Sequence, residues 1–327
     1  MYSHCVLGQT TGVLLSGSRR GPCDRPGDMV EPSASRVLSE AGLNLRLGLS
    51  PGCEPQLATF RMRLWRFRMH ADRAKTDFFA AGDYSFWSRI LEPASQSLVE
   101  AARVGAGGRV LDVAAGDGNT ALAASRRGAI VTALDPSQAQ IERGRQRARM
   151  ESSSIAWIRA DGRRLPFADS SFDGCLDSFG EEMPVVEMLR VVRSRGVVGI
   201  AQWTGEGFFG AYVELIRRFS REPDRGEYRP DLGQEDFVRT SLAPFADSIG
   251  VQRRAIRARF ATAESFCDEL LAKDPYVRPL HAALASERWE DFSQELCRLV
   301  SAWNAADDGS VLLELRYQLT VVTKPPT

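Results

Sequence analysis

Between residues 110 and 202 short apolar runs alternate with amphipathic stretches. Val110–Ala114, Ile130–Leu134, Ile155–Arg159, Phe172–Leu176 and Val197–Gln202 are nearly continuous in apolar residues, the pattern of parallel strands covered on both faces. Asn119–Arg127, Ser137–Met150 and Val185–Val192 read as the helices between them. Gly128 stands where a helix-ending glycine belongs, and Pro136 and Ser137 stand where the next helix needs a cap. Alternating strand and helix predicts an open, doubly wound α/β sheet. Upstream, Leu91–Arg103 reads as an amphipathic helix through Leu98, Val99 and Ala102. It follows a segment crowded with Phe78, Phe79, Tyr84, Phe86 and Trp87, which suits either plain core packing or a helical lid over 70–104. Downstream, Phe208–Phe219 is helical, with Phe208, Tyr212, Leu215, Ile216 and Phe219 on one side, and Gln234–Ala246 is a second helix. Ile249–Phe260 alternates weakly as a strand, and two or three helices fall between Glu264 and Ala305. The last strand is sharply marked: Val311, Leu313, Leu315, Tyr317, Leu319 and Val321 alternate with Glu314, Arg316, Gln318 and Thr320. Residues 1–58, rich in Gly, Ser, Pro and Arg without a sustained period, read as a disordered extension to a domain spanning 59–327; a true start at Met62 or Met69 would explain it.

Composition narrows the function. Basic and acidic residues number 42 each in 327, so the broad positive footprint of a nucleic-acid binder is missing. Local runs such as Arg61-Met62-Arg63 and Arg253-Arg254 read as solvated faces. The six cysteines, at 5, 23, 53, 175, 267 and 297, form no Cys-x-x-Cys pair. This is a reduced, cytoplasmic pattern with neither a disulfide framework nor a metal site. No apolar run is long enough to span a bilayer, and no signal peptide is evident.

The candidate chemistry begins at Val110-Leu-Asp-Val-Ala-Ala-Gly-Asp-Gly-Asn119. Two glycines one residue apart join a strand to a helix N-terminus, where a ligand can approach the backbone and meet free N–H groups. Gly116-x-Gly118-x-x-Ala121 with Asp135 also satisfies the dinucleotide fingerprint, which keeps a nicotinamide oxidoreductase as an alternative. Three features argue against it: Asp112 inside the strand, about a hundred residues of preceding chain, and a further acid, Asp161, ending the third strand ahead of Leu165-Pro-Phe167.

Together these segments, with Arg127-Gly-Ala-Ile-Val-Thr-Ala-Leu-Asp135 and Asp161-Gly-Arg-Arg-Leu-Pro-Phe-Ala-Asp-Ser-Ser-Phe-Asp173, resemble the class I S-adenosylmethionine (SAM) methyltransferases, closest to the type 11, ubiquinone/menaquinone-methyltransferase-like branch. The resemblance covers roughly residues 81–324. It implies a Rossmann-like sheet closed by an antiparallel C-terminal strand paired with Ile249–Phe260, a SAM-binding core over 105–205, and substrate-side helices and closing strands over 206–327. It implies SAM as cofactor. The backbone of Ala114, Ala115, Gly116, Asp117 and Gly118 would hold the methionine portion, with the Asn119 N–H near its carboxylate. Asp112 would orient the turn and the ammonium group, Asp135, followed by Pro136, would take the ribose hydroxyls, Asp161 with Gly162 the adenine, and Ser178 would line the methionine end. Two departures stand out: Ser194-Arg195-Gly196 in place of Pro-Gly-Gly, and a short segment between Gly180 and the next helix.

Methyl transfer by in-line displacement asks mainly for alignment and exclusion of water, so no triad or metal is required. Tyr84, Trp87 and Trp203 are the substrate-pocket candidates, since aromatic faces suit a cation or a flat acceptor. Of the histidines, His4 falls in the N-terminal extension, while His70 and His281 are candidates for a base, more in keeping with packing or surface positions. The expected function is methylation of a small molecule (a quinone, phenol or other secondary metabolite), with a homodimer among the expected partners. A SAM-binding protein without transferase activity, serving as partner or sensor, is the alternative.

Overall fold

The computed structural model describes residues 84–180, 184–220 and 233–326. The predicted N-terminal extension, the lid segment before Tyr84, His4 and His70 lie outside them. In chain order the elements are α1 (Ser85–Ala101), β1 (Arg109–Val113), α2 (Asn119–Arg126), β2 (Ile130–Asp135), α3 (Gln138–Met150), β3 (Ile155–Arg159), β4 (Phe172–Ser178), α4 (Val185–Val191), β5 (Val192–Trp203), α5 (Gly207–Phe219), α6 (Glu235–Leu242), β6 (Ser248–Phe260), α7 (Ala263–Lys273), α8 (Val277–Ala283), α9 (Ser286–Trp303) and β7 (Val311–Thr323).

The strands form one seven-stranded sheet in the order β3-β2-β1-β4-β5-β7-β6. Strands β1 to β5 are parallel, and β7 runs antiparallel to both β5 and β6. The Rossmann-like architecture and the antiparallel closing strand are as the sequence implied. β6 and β7 pair from Ser248↔Thr323 through Phe260↔Val311, and the helices between them are three.

Side chains alternate between the faces. Val110, Ala133 and Leu176 pack under α1 and α2 in one core, while Leu111, Val113, Leu134, Cys175, Val198 and Ile200 pack with α4 and α6 in the other. Burial on both faces is why these strands read as unbroken apolar runs. Glycines let α1 and the turn after it seat closely on the sheet: a Cβ at Gly199 would lie 3.1 Å from Leu98 Cδ1 of α1, and one at Gly174 2.8 Å from Val104 Cγ1 just beyond it.

Two boundaries differ from the sequence reading by five or six residues. Helix α1 starts at Ser85, six residues before the predicted Leu91, and runs through Pro93. Proline removes one helical N–H and crowds the preceding turn, but Pro93 is exposed, while Phe86, Trp87 and Leu91 on the same helix are buried and hold it in place. Strand β5 starts at Val192, directly after α4, where Val197 was expected. The Ser194-Arg195-Gly196 turn is a bulge inside this strand: pairing with β4 shifts between Phe172↔Val192 and Gly174↔Val197, Arg195 is left-handed (φ 60°), and a Cβ on Gly196 would meet the Asp173 carbonyl at 2.7 Å.

Candidate functional site

Strand β1 ends in a turn whose backbone alternates in hand. Ala114, Gly116 and Gly118 have φ of 55°, 54° and 97°. Ala115 N–H donates to the Leu134 carbonyl at 3.0 Å and Gly118 N–H to the Ala115 carbonyl at 2.8 Å, so the turn lies back over β2. Gly118 is demanded twice over. Its φ strains any side chain, and a Cβ would stand 2.6 Å from Cη2 of Trp157. The same ring fills the space over Gly144 of α3 at 2.2 Å, so Trp157 wedges between the turn and that helix. The Tyr84 ring lies across Gly116, 3.7 Å from where its Cβ would be.

Three buried acids surround this turn. Asp135, ending β2, accepts Gly116 N–H and Ser137 N–H, each at 2.8 Å. Burial raises its pKa, while those amides and nearby Arg143 oppose the rise. Asp112 sits under the start of α2, where the N-cap residue is Gly118 and has no side chain to cap with. It accepts the Ala121 amide, taking over the cap's task from the strand below. Its Oδ2 is buried without a hydrogen-bond partner among the described residues, and burial, with Asp177 close by, raises its pKa strongly. Asp177, near the end of β4, is fully buried and accepts the Gly180 amide at 2.8 Å.

A second polar cluster ties the turn to its supports. Asp117 pairs with Arg147 of α3 at 2.8 Å and accepts the Ser88 hydroxyl at 2.7 Å, and Asn119 Nδ2 donates to the Ser88 carbonyl at 2.7 Å. The side chains of Asp117 and Asn119 therefore bind protein, and the Asp117 carbonyl also accepts Arg147 Nη1 at 3.2 Å.

Residues 110–196 match the family model described as a methyltransferase domain. Over 204 residues the chain is 33% identical to the uncharacterised protein Rv1405c of Mycobacterium tuberculosis, an alignment covering 58% of this chain and 73% of that one. It is 31% identical over 162 residues to the demethylmenaquinone methyltransferase of Beutenbergia cavernae, covering 44% of this chain and 62% of the relative. The YcgJ protein of Bacillus subtilis superposes with a TM-score of 0.48 at 17% identity, over 72% of this chain and 99% of that one. The chain belongs to the class I SAM-dependent methyltransferases.

The donors and acceptors around the glycine turn fit SAM chemically. SAM presents two ribose hydroxyls, an ammonium and a carboxylate. Asp135 retains acceptor capacity beyond its two amide bonds, Asp112 Oδ2 is an unmatched buried acceptor, and the first turn of α2 supplies amides and a positive helix end. Pro136 follows Asp135, and its carbonyl accepts Arg159 Nε at 3.1 Å. Gly162 packs where a Cβ would be 2.9 Å from Val113 Cγ1, which brings the loop after β3 against the end of β1. Asp161 on that loop is exposed and paired with Arg163, which also donates its N–H to Oδ1 at 2.8 Å. The Ser178 hydroxyl shares a hydrogen bond with Ser95 of α1 at 3.1 Å.

Trp203 ends β5 stacked on Phe209, centroids 4.2 Å apart, and tilted on Phe179 at 4.3 Å. Trp87 lies edge-on to both Trp203 and Phe209, and its Nε1 donates to Asp274 Oδ2 at 2.6 Å. Both tryptophans are buried, while Phe179 and Tyr84 are half-buried. His281 is exposed on α8 and stacks on Trp289 of α9, centroids 4.1 Å apart.

Asp177, Ser88, Arg147 and Asp274 were missed by the sequence reading. Asp177 carried a usable signal, an acid closing an apolar strand like those ending β1, β2 and β3. Ser88 and Arg147, 59 residues apart, meet only through folding.

Proposed function

We propose that this methyltransferase methylates a flat, uncharged small molecule: a phenol, a quinol or a related secondary metabolite. The observation that carries the reading is Phe179. It leaves β4 in a left-handed conformation (φ 60°), half-buried, with its ring against Trp203 and edge-on to Tyr317 at 5.9 Å. A non-glycine residue there costs on the order of 1 kcal/mol, and it stands just beyond the carboxyl end of β4, on the side where ligands of open α/β sheets bind. The named substrate of the Beutenbergia cavernae relative, demethylmenaquinone, is of this flat type.

When bound, SAM supplies a methyl group already activated on a sulfonium. The chain's own residues then have to hold, orient and exclude water. In this reading Asp135 takes the ribose hydroxyls, Asp161 and Gly162 flank the adenine, and the amides of 114–119 and Asp112 hold the methionine end. Tyr84 and Phe179, backed by Trp203 and Trp87, close the acceptor side. The free thiols among the described residues, Cys175, Cys267 and Cys297, accord with a cytoplasmic setting. Among the described residues no helix is long and apolar enough to cross a membrane.

The test is S-adenosylhomocysteine release from SAM across phenols, hydroquinones, aliphatic amines and carboxylates. Turnover with the phenol and hydroquinone set is expected. Turnover confined to the amines or carboxylates would sink the reading.

A further inference from the structure

Asp177 has no part in the scheme above, yet, like Asp112, it is a buried acid beside the glycine turn with an unmatched oxygen. It is fully buried, and only one of its oxygens is matched. Oδ1 accepts the Gly180 amide at 2.8 Å, an arrangement that needs glycine, because a Cβ there would stand 2.5 Å from the same oxygen. Oδ2 has no hydrogen-bond partner among the described residues. In register, Asp177 stands beside Val113, the last residue of β1 before the glycine turn. It is close enough to Asp112 for its charge to act there, and Asp135 acts on it in turn.

A carboxylate buried near two others, with an unmatched oxygen, is unfavourable unless it is neutral or a cation arrives. The substrate and product of this reaction differ in charge at one atom: the sulfonium of SAM is positive and the thioether of S-adenosylhomocysteine is neutral. We propose that Asp177 reads that difference, its ionised carboxylate favouring SAM over S-adenosylhomocysteine. The proposal rests on the SAM site described above and extends it to a residue that sets the preference for substrate over spent product.

The groups that meet Asp177 define how it titrates. Asp112 on β1 and Asp135 on β2 are like charges, and Cys175 on β4 is buried and held protonated. On β5 the facing neighbours are Ile200, in register with it, and neutral Gln202, whose amide donates to the Gly180 carbonyl at 3.4 Å. On α4, packed across β4 and β5, Glu187 and Arg190 pair with each other at 2.9 Å. Arg143 of α3 acts on Asp135. Burial is the main reason Asp177 is pushed up to about 7, with Asp135 adding to it and the Gly180 amide opposing it. Ionisation therefore falls in an accessible range, and a nearby cation draws the proton off.

The experiment is calorimetric titration of the full chain with SAM and with S-adenosylhomocysteine from pH 6 to pH 8, in two buffers of different ionisation enthalpy, for wild type and Asp177→Asn. In wild type the SAM preference is expected to rise about fivefold across this range, within the tenfold limit that one pKa unit of coupling sets. SAM uptake near pH 7 should release a proton, and S-adenosylhomocysteine uptake should not. Asp177→Asn should hold a pH-independent preference. A preference in wild type that does not change with pH, with equal proton release for both ligands, overturns the proposal without needing the variant. So does a folded Asp177→Asn that keeps the wild-type slope. If wild type takes up neither ligand at any pH, the cofactor site itself is wrong and this proposal falls with it.

Discussion

At the carboxyl ends of β1, β2 and β4 the buried side chains are acids, Asp112, Asp135 and Asp177, whereas at the end of β5 and along α1 and α5 they are rings: Trp203, Phe86, Trp87, Phe208, Phe209 and Tyr212. The two regions also treat a buried carboxylate differently. Asp274, beneath the aromatic cluster, is nearly saturated: it accepts Trp87 Nε1, Tyr276 N–H at 2.7 Å and Val277 N–H at 3.1 Å, with the Tyr212 hydroxyl facing it without good hydrogen-bond geometry. Asp112 and Asp177 each keep one oxygen unmatched. A saturated acid is a structural joint, here fixing α1 to the start of α8. An unsaturated one carries a cost that a ligand can remove. The acid-lined half therefore keeps acceptors that the proposed cofactor could satisfy, and the ring-lined half is chiefly packing, with Phe179 and Tyr84 half-buried at its edge.

The sharpest test of that contrast is Gly118→Val. Left-handed strain of ~1–3 kcal/mol and the displaced Trp157 ring should together weaken SAM binding by about 100-fold or more, measured calorimetrically; an unchanged affinity would show that the turn does not hold the cofactor. Next comes Asp177→Asn, read by denaturant unfolding without ligand. A carboxyl whose folded pKa is raised to about 7 from 3.8 stabilises the fold fully below the lower value and loses that contribution as pH rises through the upper one. Wild type should therefore lose on the order of 2–4 kcal/mol between pH 4 and pH 8 that Asp177→Asn does not lose. Equal pH slopes would mean that Asp177 is not an unsatisfied acid.

Trp87→Phe probes the other half. It deprives Asp274 of one donor and should cost about 1–3 kcal/mol of stability while leaving SAM affinity within about twofold. A large loss of SAM affinity at unchanged stability would move Trp87 from packing to the site. The smallest effect belongs to Arg253→Gln, which breaks an exposed pair with Glu206 on the edge strand β6; about 0.5 kcal/mol or less is expected by thermal melting.

Local pattern determined most of the fold. Apolar runs bounded by glycine and polar turns located the central strands β1, β2, β4 and β5, because burial on both faces leaves a hydrophobic signature. The half-exposed edge strand β3 was placed to the residue, and β6 and β7 were found by alternation. The glycine spacing and the acids ending successive strands pointed to the cofactor turn, because backbone left-handedness and carboxylate placement are written in single residues. What tertiary structure decided is contact between distant segments. Helix α1 runs through Pro93 because its aromatic residues are buried against the sheet. Asp112 caps α2 from the strand beneath it. Ser88, Asp117 and Arg147 converge from three elements. Whether an acid is satisfied, as Asp274 is, or left with an unmatched oxygen, as Asp177 is, depends on which amides and side chains the folded chain brings within about 3 Å, and no periodicity along the sequence encodes that distance.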